Sequence, residues 1–385
     1  MLARRMVVLA CVATVLLGVA SPAGADGGDP TLSIDPAAAL TALHCPPSFA
    51  LPKTPVLLVH GTGFTAEESW THTFAKTLPL DGHDACTIDL PARALGDIQV
   101  ASEYVVVAIR RMTAQSGRRI DVVGHSQGGL EPRWALKWFP STRALVDDDV
   151  TISSTHHGSA DAAGACAAGS CAASVWQQRP GSRFLNALNA GDETPGDVSY
   201  TSIYSLTDEV VPELPPPSTS MLAGARNVAI QDACPGRPDD HFSILWDAVA
   251  HAIVDDALDH PGPADPARLG SSVCLSAIAP GLDASDVAYM HTVALGQTAL
   301  STLVTGPKSS AEPALMPYVL AAQSSPSAAP NDQAGPQPAA PATRQPSASR
   351  AVHLAATGGT STIVGPALVA LALALSGRRL RRRSP

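Results

Sequence analysis

Short, mostly apolar runs alternate with amphipathic segments along much of the chain. Residues 55–60 read PVLLVH and residues 120–123 read IDVV, and each run is followed at once by a glycine-containing loop. Apolar runs of this length, bounded by turn residues, are typical of strands buried on both faces of a parallel sheet. Three further strands are predicted, over residues 150–154, 200–205 and 226–232.

The segments between the predicted strands have helical periodicity. Apolar residues recur at roughly helical spacing from Val100 to Met112, before Gly117. A second helix is predicted over residues 130–139, which Pro140 ends. Strands that alternate with helices predict an α/β fold, with a mostly parallel central sheet flanked by helices.

The first 25 residues have the pattern of a secretory signal peptide. A short charged stretch, MLARR, precedes an apolar run and the small residues Ala23, Gly24 and Ala25. This order predicts cleavage and a mature chain that begins near Asp26, the alternative being a retained membrane anchor. Residues 26–44 would then form an N-terminal extension of the folded domain.

The C-terminal residues 354–385 have a different targeting pattern, in which LAATG precedes an apolar segment and five arginines. This order resembles the LAxTG cell-wall sorting signals of Gram-positive bacteria, a variant associated with actinobacterial sortases. The resemblance implies cleavage between Thr357 and Gly358 by a sortase and linkage to peptidoglycan; the alternative is a C-terminal membrane anchor. Residues 319–353, rich in Pro, Ala and Ser, are predicted to be a disordered spacer.

Composition and charge argue against polyanionic partners. The chain has 45% hydrophobic residues and a formal net charge of −9. Removing both terminal segments would remove arginines and no acidic residue, which makes the balance more negative and disfavours nucleic acid as a partner.

Six cysteines remain once Cys11 leaves with the signal peptide, and an even number in an exported chain predicts three disulfides. The spacing leaves all fifteen pairings open. No C-x-x-C pair is present, so no structural metal is expected.

The segment GHSQG, residues 124–128, is the strongest candidate for chemistry. It matches G-x-S-x-G, and it lies between a predicted strand and a predicted helix. This context predicts a nucleophile elbow, in which a sharp turn exposes the Ser126 hydroxyl, whereas glycines in an ordinary tight turn are the alternative.

A serine nucleophile needs a base and an orienting carboxylate, which in this fold class follow it in the order acid, then histidine. Asp208 lies in the turn into which the predicted strand 200–205 runs, with Glu209 as the second choice, and His241 follows the last predicted strand. The backbone N–H of Gln127 and the loop that contains Thr62 are predicted to bind the oxyanion.

With these residues in view, the chain resembles the Candida antarctica lipase B family, in an actinobacterial branch. The segments LLVHGTGFT, HSQGGLEPRWALKWFPSTR, IYSLTDEVVPE and VTGPKSSAEPALMPY match that family in order, over a domain spanning residues 45–318. The resemblance implies an α/β-hydrolase that cleaves carboxylic esters of lipids without a metal or cofactor and contacts membranes transiently. It also implies Ser126, Asp208 and His241 as a catalytic triad, with Thr62 and Gln127 as the oxyanion hole.

The same resemblance implies the disulfides Cys45–Cys86 and Cys234–Cys274, which leaves Cys166 and Cys171 as the third pair. The sequence departs from the family at His125, before the nucleophile, and at His156 and His157, in a segment that frames the acyl site. Acyl-chain length and enantiomer preference therefore do not transfer. Residues 283–306 form an apolar helical pattern, expected either as a mobile lid or as core.

Two alternative functions remain open from the sequence. An acyltransferase that acts on cell-envelope lipids would use the same acyl-enzyme but pass the acyl group to an alcohol. A catalytically silent, surface-displayed binding protein would retain the fold but be expected to lose a triad or oxyanion residue.

Overall fold

A seven-stranded sheet, with strand order β1-β3-β2-β4-β5-β6-β7, runs through the computed structural model, which describes residues 28–211 and 219–324. The first strand is antiparallel to its neighbour and every other pair of neighbours is parallel. The strands are β1 Leu43–His44, β2 Val56–Val59, β3 Ala85–Ile88, β4 Ile120–His125, β5 Val146–Ile152, β6 Ser199–Tyr204 and β7 Arg226–Ala229. The prediction of a mostly parallel sheet is therefore confirmed.

Helices cover the sheet and connect its strands. The α-helices span Pro36–Ala42, Ala66–Trp70, Phe74–Asp81, Ile98–Ser116, Leu130–Trp138, Ala160–Ala165, Ala173–Gln177, Arg183–Asn189, Ile230–Ala233, Ala248–Asp259, Ala284–Tyr289, Leu295–Leu300 and Pro317–Ser324. A further helical turn, Pro91–Ala94, contains left-handed residues. Short 3₁₀ turns span Ser126–Gly129, Pro140–Leu145, Ser243–Leu245, Pro266–Arg268 and Ser271–Leu275, and π-helical turns span Met290–Ala294 and Ser301–Thr305.

Successive side chains of the central strands point to opposite faces of the sheet, so the core has two layers. Leu58 and Val123 pack with the layer that contains helix Ala248–Asp259. Leu57 and Val122 face the opposite layer, which contains helix Ile98–Ser116. Because both faces are covered, β2 and β4 are buried along their whole length, which explains their apolar sequence.

The predicted strands differ from the structure mainly in three places. Strands β1 and β3 are missing from the prediction, since β1 has only two residues and β3, with the sequence ACTI, has no continuous apolar run. Strand β5 begins at Val146 and includes three consecutive aspartates. Burial raises the pKa of Asp148 to about 8 and that of Asp149 to about 7, so the strand tolerates acids that its sequence pattern would exclude.

The third difference is at β7, which ends at Ala229 because helix Ile230–Ala233 begins there, capped by Asp232. At the N-terminal side, helix Pro36–Ala42 is capped by Asp35 and leads into β1, so the predicted extension contributes to the sheet. At the other end, helix Pro317–Ser324 continues past the boundary predicted at residue 318.

The predicted signal peptide, most of the predicted spacer and the predicted sorting signal lie outside the described residues. Within residues 28–211 and 219–324, none of the helices combines the length and the apolar character of a membrane span.

Three disulfides link the cysteines of the described residues. They pair Cys45 with Cys86, Cys166 with Cys171, and Cys234 with Cys274. These are the pairings that the family resemblance implies, and the prediction of three disulfides is confirmed.

Candidate active site

Ser126 lies in a sharp turn between β4 and helix Leu130–Trp138. Its φ of 56° is in the left-handed region, which non-glycine residues rarely adopt. The flanking glycines are required by contact: a Cβ on Gly124 would lie 2.2 Å from the carbonyl oxygen of Gly128, and one on Gly128 would lie 2.1 Å from that of Val59. The turn is therefore strained and crowded, as a nucleophile elbow requires.

Two further predicted residues meet Ser126 at the carboxyl ends of the strands. The Nε2 atom of His241 lies 3.0 Å from the Ser126 hydroxyl, and its Nδ1 atom lies 2.8 Å from Asp208 Oδ2. The other carboxylate oxygen of Asp208 accepts hydrogen bonds from the backbone N–H groups of Val210 and Val211. The three side chains thus form one hydrogen-bonded chain.

Glu209, the second choice for the carboxylate, lies outside this chain. Its Oε2 atom accepts a hydrogen bond from the backbone N–H of His241, at 3.3 Å, and does not reach the imidazole. The shorter acid contacts the ring because the strand ends at Tyr204 and the following turn points Asp208 inward.

The electrostatics of the pair favour a charged imidazolium. Burial lowers the pKa of His241, but the adjacent Asp208 carboxylate outweighs it, so that the pKa of His241 is raised above 6.5. Burial likewise opposes ionisation of Asp208, yet His241 and the backbone donors hold the pKa of Asp208 below its usual range. The imidazole can therefore accept a proton from Ser126 while Asp208 remains ionised.

The loop after β2 lies beside the nucleophile. A Cβ on Gly61 would lie 3.0 Å from Ser126 Cβ. The N–H of Leu90 donates to His60 Nε2, so Nδ1 carries the ring proton and donates to the carbonyl of Gly61, at 2.9 Å. This bond holds the Gly61–Thr62 peptide in one orientation, with the N–H of Thr62 directed away from His60 because a trans peptide opposes its two polar groups.

The side chains of Thr62 and Gln127, the two predicted oxyanion residues, touch each other. The Thr62 hydroxyl donates to Gln127 Oε1 at 2.6 Å. Gln178, which the sequence prediction missed, donates through Nε2 to both Thr62 Oγ1 and Gln127 Oε1, each at 3.0 Å. Gln127 Oε1 therefore has two donors, and the bond from Gln178 would remain if the Thr62 hydroxyl turned toward another acceptor.

Glu131 is a second residue that the prediction missed. It is fully buried one helical turn after Gln127 and accepts a hydrogen bond from Gln127 Nε2 at 2.8 Å. Burial raises the pKa of Glu131 to about 8. Helical spacing places residue 131 on the buried face of its helix. An acidic residue at a core-facing position was therefore the one sign in the sequence that Glu131 has a role.

His125, the residue before the nucleophile, contacts the backbone of His241. Its ring is buried and donates through Nε2 to the backbone carbonyl of His241, at 2.9 Å. Burial and the neighbouring His241 lower the pKa of His125 to about 3, so this ring stays neutral. It therefore supports the loop that carries His241.

Three further histidines have partners other than Ser126 and His241. His156 is buried between Arg133 and Thr151, and His157 pairs with Glu193. His251 is buried and stacks on Phe74 with ring centroids 3.8 Å apart. In the described part of the chain, no three histidine, cysteine or acidic side chains are grouped closely enough to hold a metal ion.

The helical segment Ala284–Thr305 is partly core and partly surface. Met290 and Ala294 are fully buried, whereas Val293, Leu300 and Val304 are 42%, 46% and 66% exposed. The Ser301 hydroxyl donates to the carbonyl of Gly63, so this segment lies against the loop that carries Thr62.

Comparisons with a family model, a known sequence and a solved structure all match this chain to lipases. Residues 100–233 match a family model described as Lipase (class 2). Lipase B of Pseudozyma antarctica is 35% identical over 321 residues, which cover 81% of this chain and 92% of the relative. A crystal structure of Aspergillus fumigatus lipase B superposes with a TM-score of 0.70 at 34% identity, covering 78% of this chain and 75% of that one.

Proposed function

Because this chain belongs to the lipase B family of α/β-hydrolases and is a carboxylic ester hydrolase, we propose that it is a secreted lipase or esterase that works through an acyl-enzyme on Ser126. The family assignment disfavours a catalytically silent binding protein. The hydrogen-bonded chain from Ser126 through His241 to Asp208 carries the proposal, since that arrangement activates a serine hydroxyl.

In the proposed reaction, Ser126 Oγ attacks the ester carbonyl while His241 Nε2 takes the hydroxyl proton. Asp208 holds the imidazole in the correct tautomer and stabilises the imidazolium. The imidazolium then protonates the leaving alcohol. A water molecule, deprotonated by the same nitrogen, attacks the acyl-enzyme and releases the carboxylic acid.

The developing oxyanion would be bound by the backbone N–H groups of Thr62 and Gln127 and by the Thr62 hydroxyl. The proximity of Gly61 to Ser126 supports this assignment, as do the hydrogen bonds by which Gln178 holds the side chains of Thr62 and Gln127 together. Removing one such donor typically costs about 3–4 kcal/mol of transition-state stabilisation.

The substrates proposed are carboxylic esters of lipids, reached at a membrane or lipid surface. The exposed apolar residues Val293, Leu300 and Val304 support transient contact with such a surface. The disulfides fit an extracellular location. We further propose an actinobacterial origin and sortase anchoring at Thr357; mass spectrometry of wall-released material tests this, because a C-terminus beyond Thr357 contradicts it.

Hydrolysis of p-nitrophenyl esters, from acetyl to long acyl chains, tests the enzymatic proposal. Ser126→Ala is expected to lower kcat by at least about 10³-fold. Ser154→Ala is a matched control, since Ser154 is buried beside the same elbow, near Gly129, and lies outside the triad. Full activity in Ser126→Ala contradicts the proposal. The dependence of activity on acyl-chain length distinguishes an esterase from a lipase.

A further inference from the structure

Three consecutive non-glycine residues have left-handed backbone conformations in the turn between β3 and helix Ile98–Ser116. The φ angles of Ala92, Arg93 and Ala94 are 53°, 60° and 56°. L-residues adopt this region singly and at a cost, and a run of three persists only where surrounding contacts determine it. The contacts that hold this turn therefore indicate what it is for.

Arg93 binds both backbone groups of Gly63, the residue after Thr62. The N–H of Gly63 donates to the carbonyl of Arg93 at 2.8 Å, and Arg93 Nε donates to the carbonyl of Gly63, also at 2.8 Å. The left-handed turn is what brings the main chain and the side chain of Arg93 to the same residue.

The remaining end of the guanidinium extends this contact along the loop. Its Nη2 atom pairs with Glu68, and the same Glu68 oxygen accepts from the N–H of Thr65, at 3.0 Å. The Glu68 side chain is 12% exposed and that of Arg93 29%, so the ion pair is partly buried. One planar group thus holds both Gly63 and, through Glu68, Thr65.

Both peptide planes next to Thr62 are consequently held by neighbours. His60 Nδ1 binds the carbonyl of the Gly61–Thr62 peptide, and the Arg93 carbonyl binds the N–H of the Thr62–Gly63 peptide. With both planes held, the Thr62 Cα has little rotational freedom, and the direction of its N–H is set before substrate arrives.

We propose that Arg93 is a positioning residue of the oxyanion hole, which acts by clamping Gly63 so that the Thr62 N–H stays directed at the reacting carbonyl. This inference rests on the proposed function. Arg93 acts through Thr62 and makes no contact with the triad.

Arg93→Gly is the most informative variant, because glycine tolerates the left-handed conformation and the fold should be preserved while the guanidinium is lost. Arg93→Lys keeps the charge but not the planar fork, so its activity should be intermediate. Arg118→Gly is the matched control, since Arg118 also binds backbone carbonyls, those of Leu51, Pro52 and Lys53, outside the oxyanion loop.

The measurements are kcat and KM for p-nitrophenyl butyrate, Tm, and the inhibition constant of an alkyl boronic acid, which forms a tetrahedral adduct. Arg93→Gly is expected to lower kcat about 10- to 100-fold with KM within about twofold, and to weaken boronate binding comparably. Arg118→Gly should change Tm more than kcat.

Wild-type kcat and boronate affinity in Arg93→Gly overturn the inference, as does a loss of kcat that only follows a loss of Tm. Ser126→Ala is assayed in parallel. If that variant remains active, the proposed function has failed; if it is inactive while Arg93→Gly behaves as wild type, only the role of Arg93 is refuted.

Discussion

His241 Nε2 and Ser126 Oγ lie 3.0 Å apart although 115 positions separate them in the chain. Strand β4 brings the serine to the carboxyl edge of the sheet, and the loop that follows β7 brings the histidine to the same edge. His125 strengthens this relationship, because its ring donates to the backbone carbonyl of His241. The position before the nucleophile thus helps hold the proposed base.

Asp208→Asn should lower kcat by about 10⁴-fold, since an amide holds the imidazole in the wrong tautomer. Glu209→Gln is the matched comparison and should stay within about tenfold of wild type, because Glu209 contacts only the backbone of His241. Steady-state kinetics on one ester, with circular dichroism to verify folding, separate the two acids. Equal losses in both variants would refute the choice of Asp208.

The pH dependence of kcat/KM should follow the charge of His241. The reaction requires the neutral ring, so activity falls as the pH decreases through the pKa of His241, which Asp208 raises above 6.5. The acid limb should therefore have its midpoint above pH 6.5. In Asp208→Asn the midpoint should move lower, because burial then acts without the carboxylate; an unchanged midpoint contradicts this assignment.

Gly128→Ala should be strongly destabilising or inactive, since its Cβ would lie 2.1 Å from the backbone oxygen of Val59. Forced overpacking of this kind costs about 1–3 kcal/mol and shifts the backbone. Gly164→Ala is the control, because no atom lies within 4 Å of a Cβ there and the residue is helical. Thermal unfolding and esterase activity would be measured, and an active, stable Gly128→Ala would exclude the close contact.

The disulfides should differ in what they contribute to stability. Chain-entropy arguments predict a loss of about 4 kcal/mol for removing Cys234–Cys274, whose cysteines are 40 positions apart, and about 2 kcal/mol for Cys166–Cys171, only 5 apart. Paired Cys→Ala variants, compared by denaturant unfolding, test this ranking. A larger loss for the short loop would show that local packing, not chain entropy, decides.

Local sequence determined the elements that position the site, because buried strands need apolar runs and sharp turns need glycines. The apolar run of β4, the glycines around Ser126 and the helix after them identified the elbow without any knowledge of contacts. The order of acid and histidine along the chain identified Asp208 and His241 as candidates, and the structure brings both to Ser126.

Tertiary structure alone decided which polar side chains complete the site. Gln178, Glu131 and Arg93 belong to no motif, and the contacts of Gln178 with Gln127 and of Arg93 with Gly63 join residues that are 51 and 30 positions apart. The acidic strand β5 and the left-handed turn at Arg93 even contradict local preference. Buried hydrogen bonds and long-range packing outweigh local propensities of at most a few kcal/mol. The order of residues along the chain does not show which distant side chains will form these contacts.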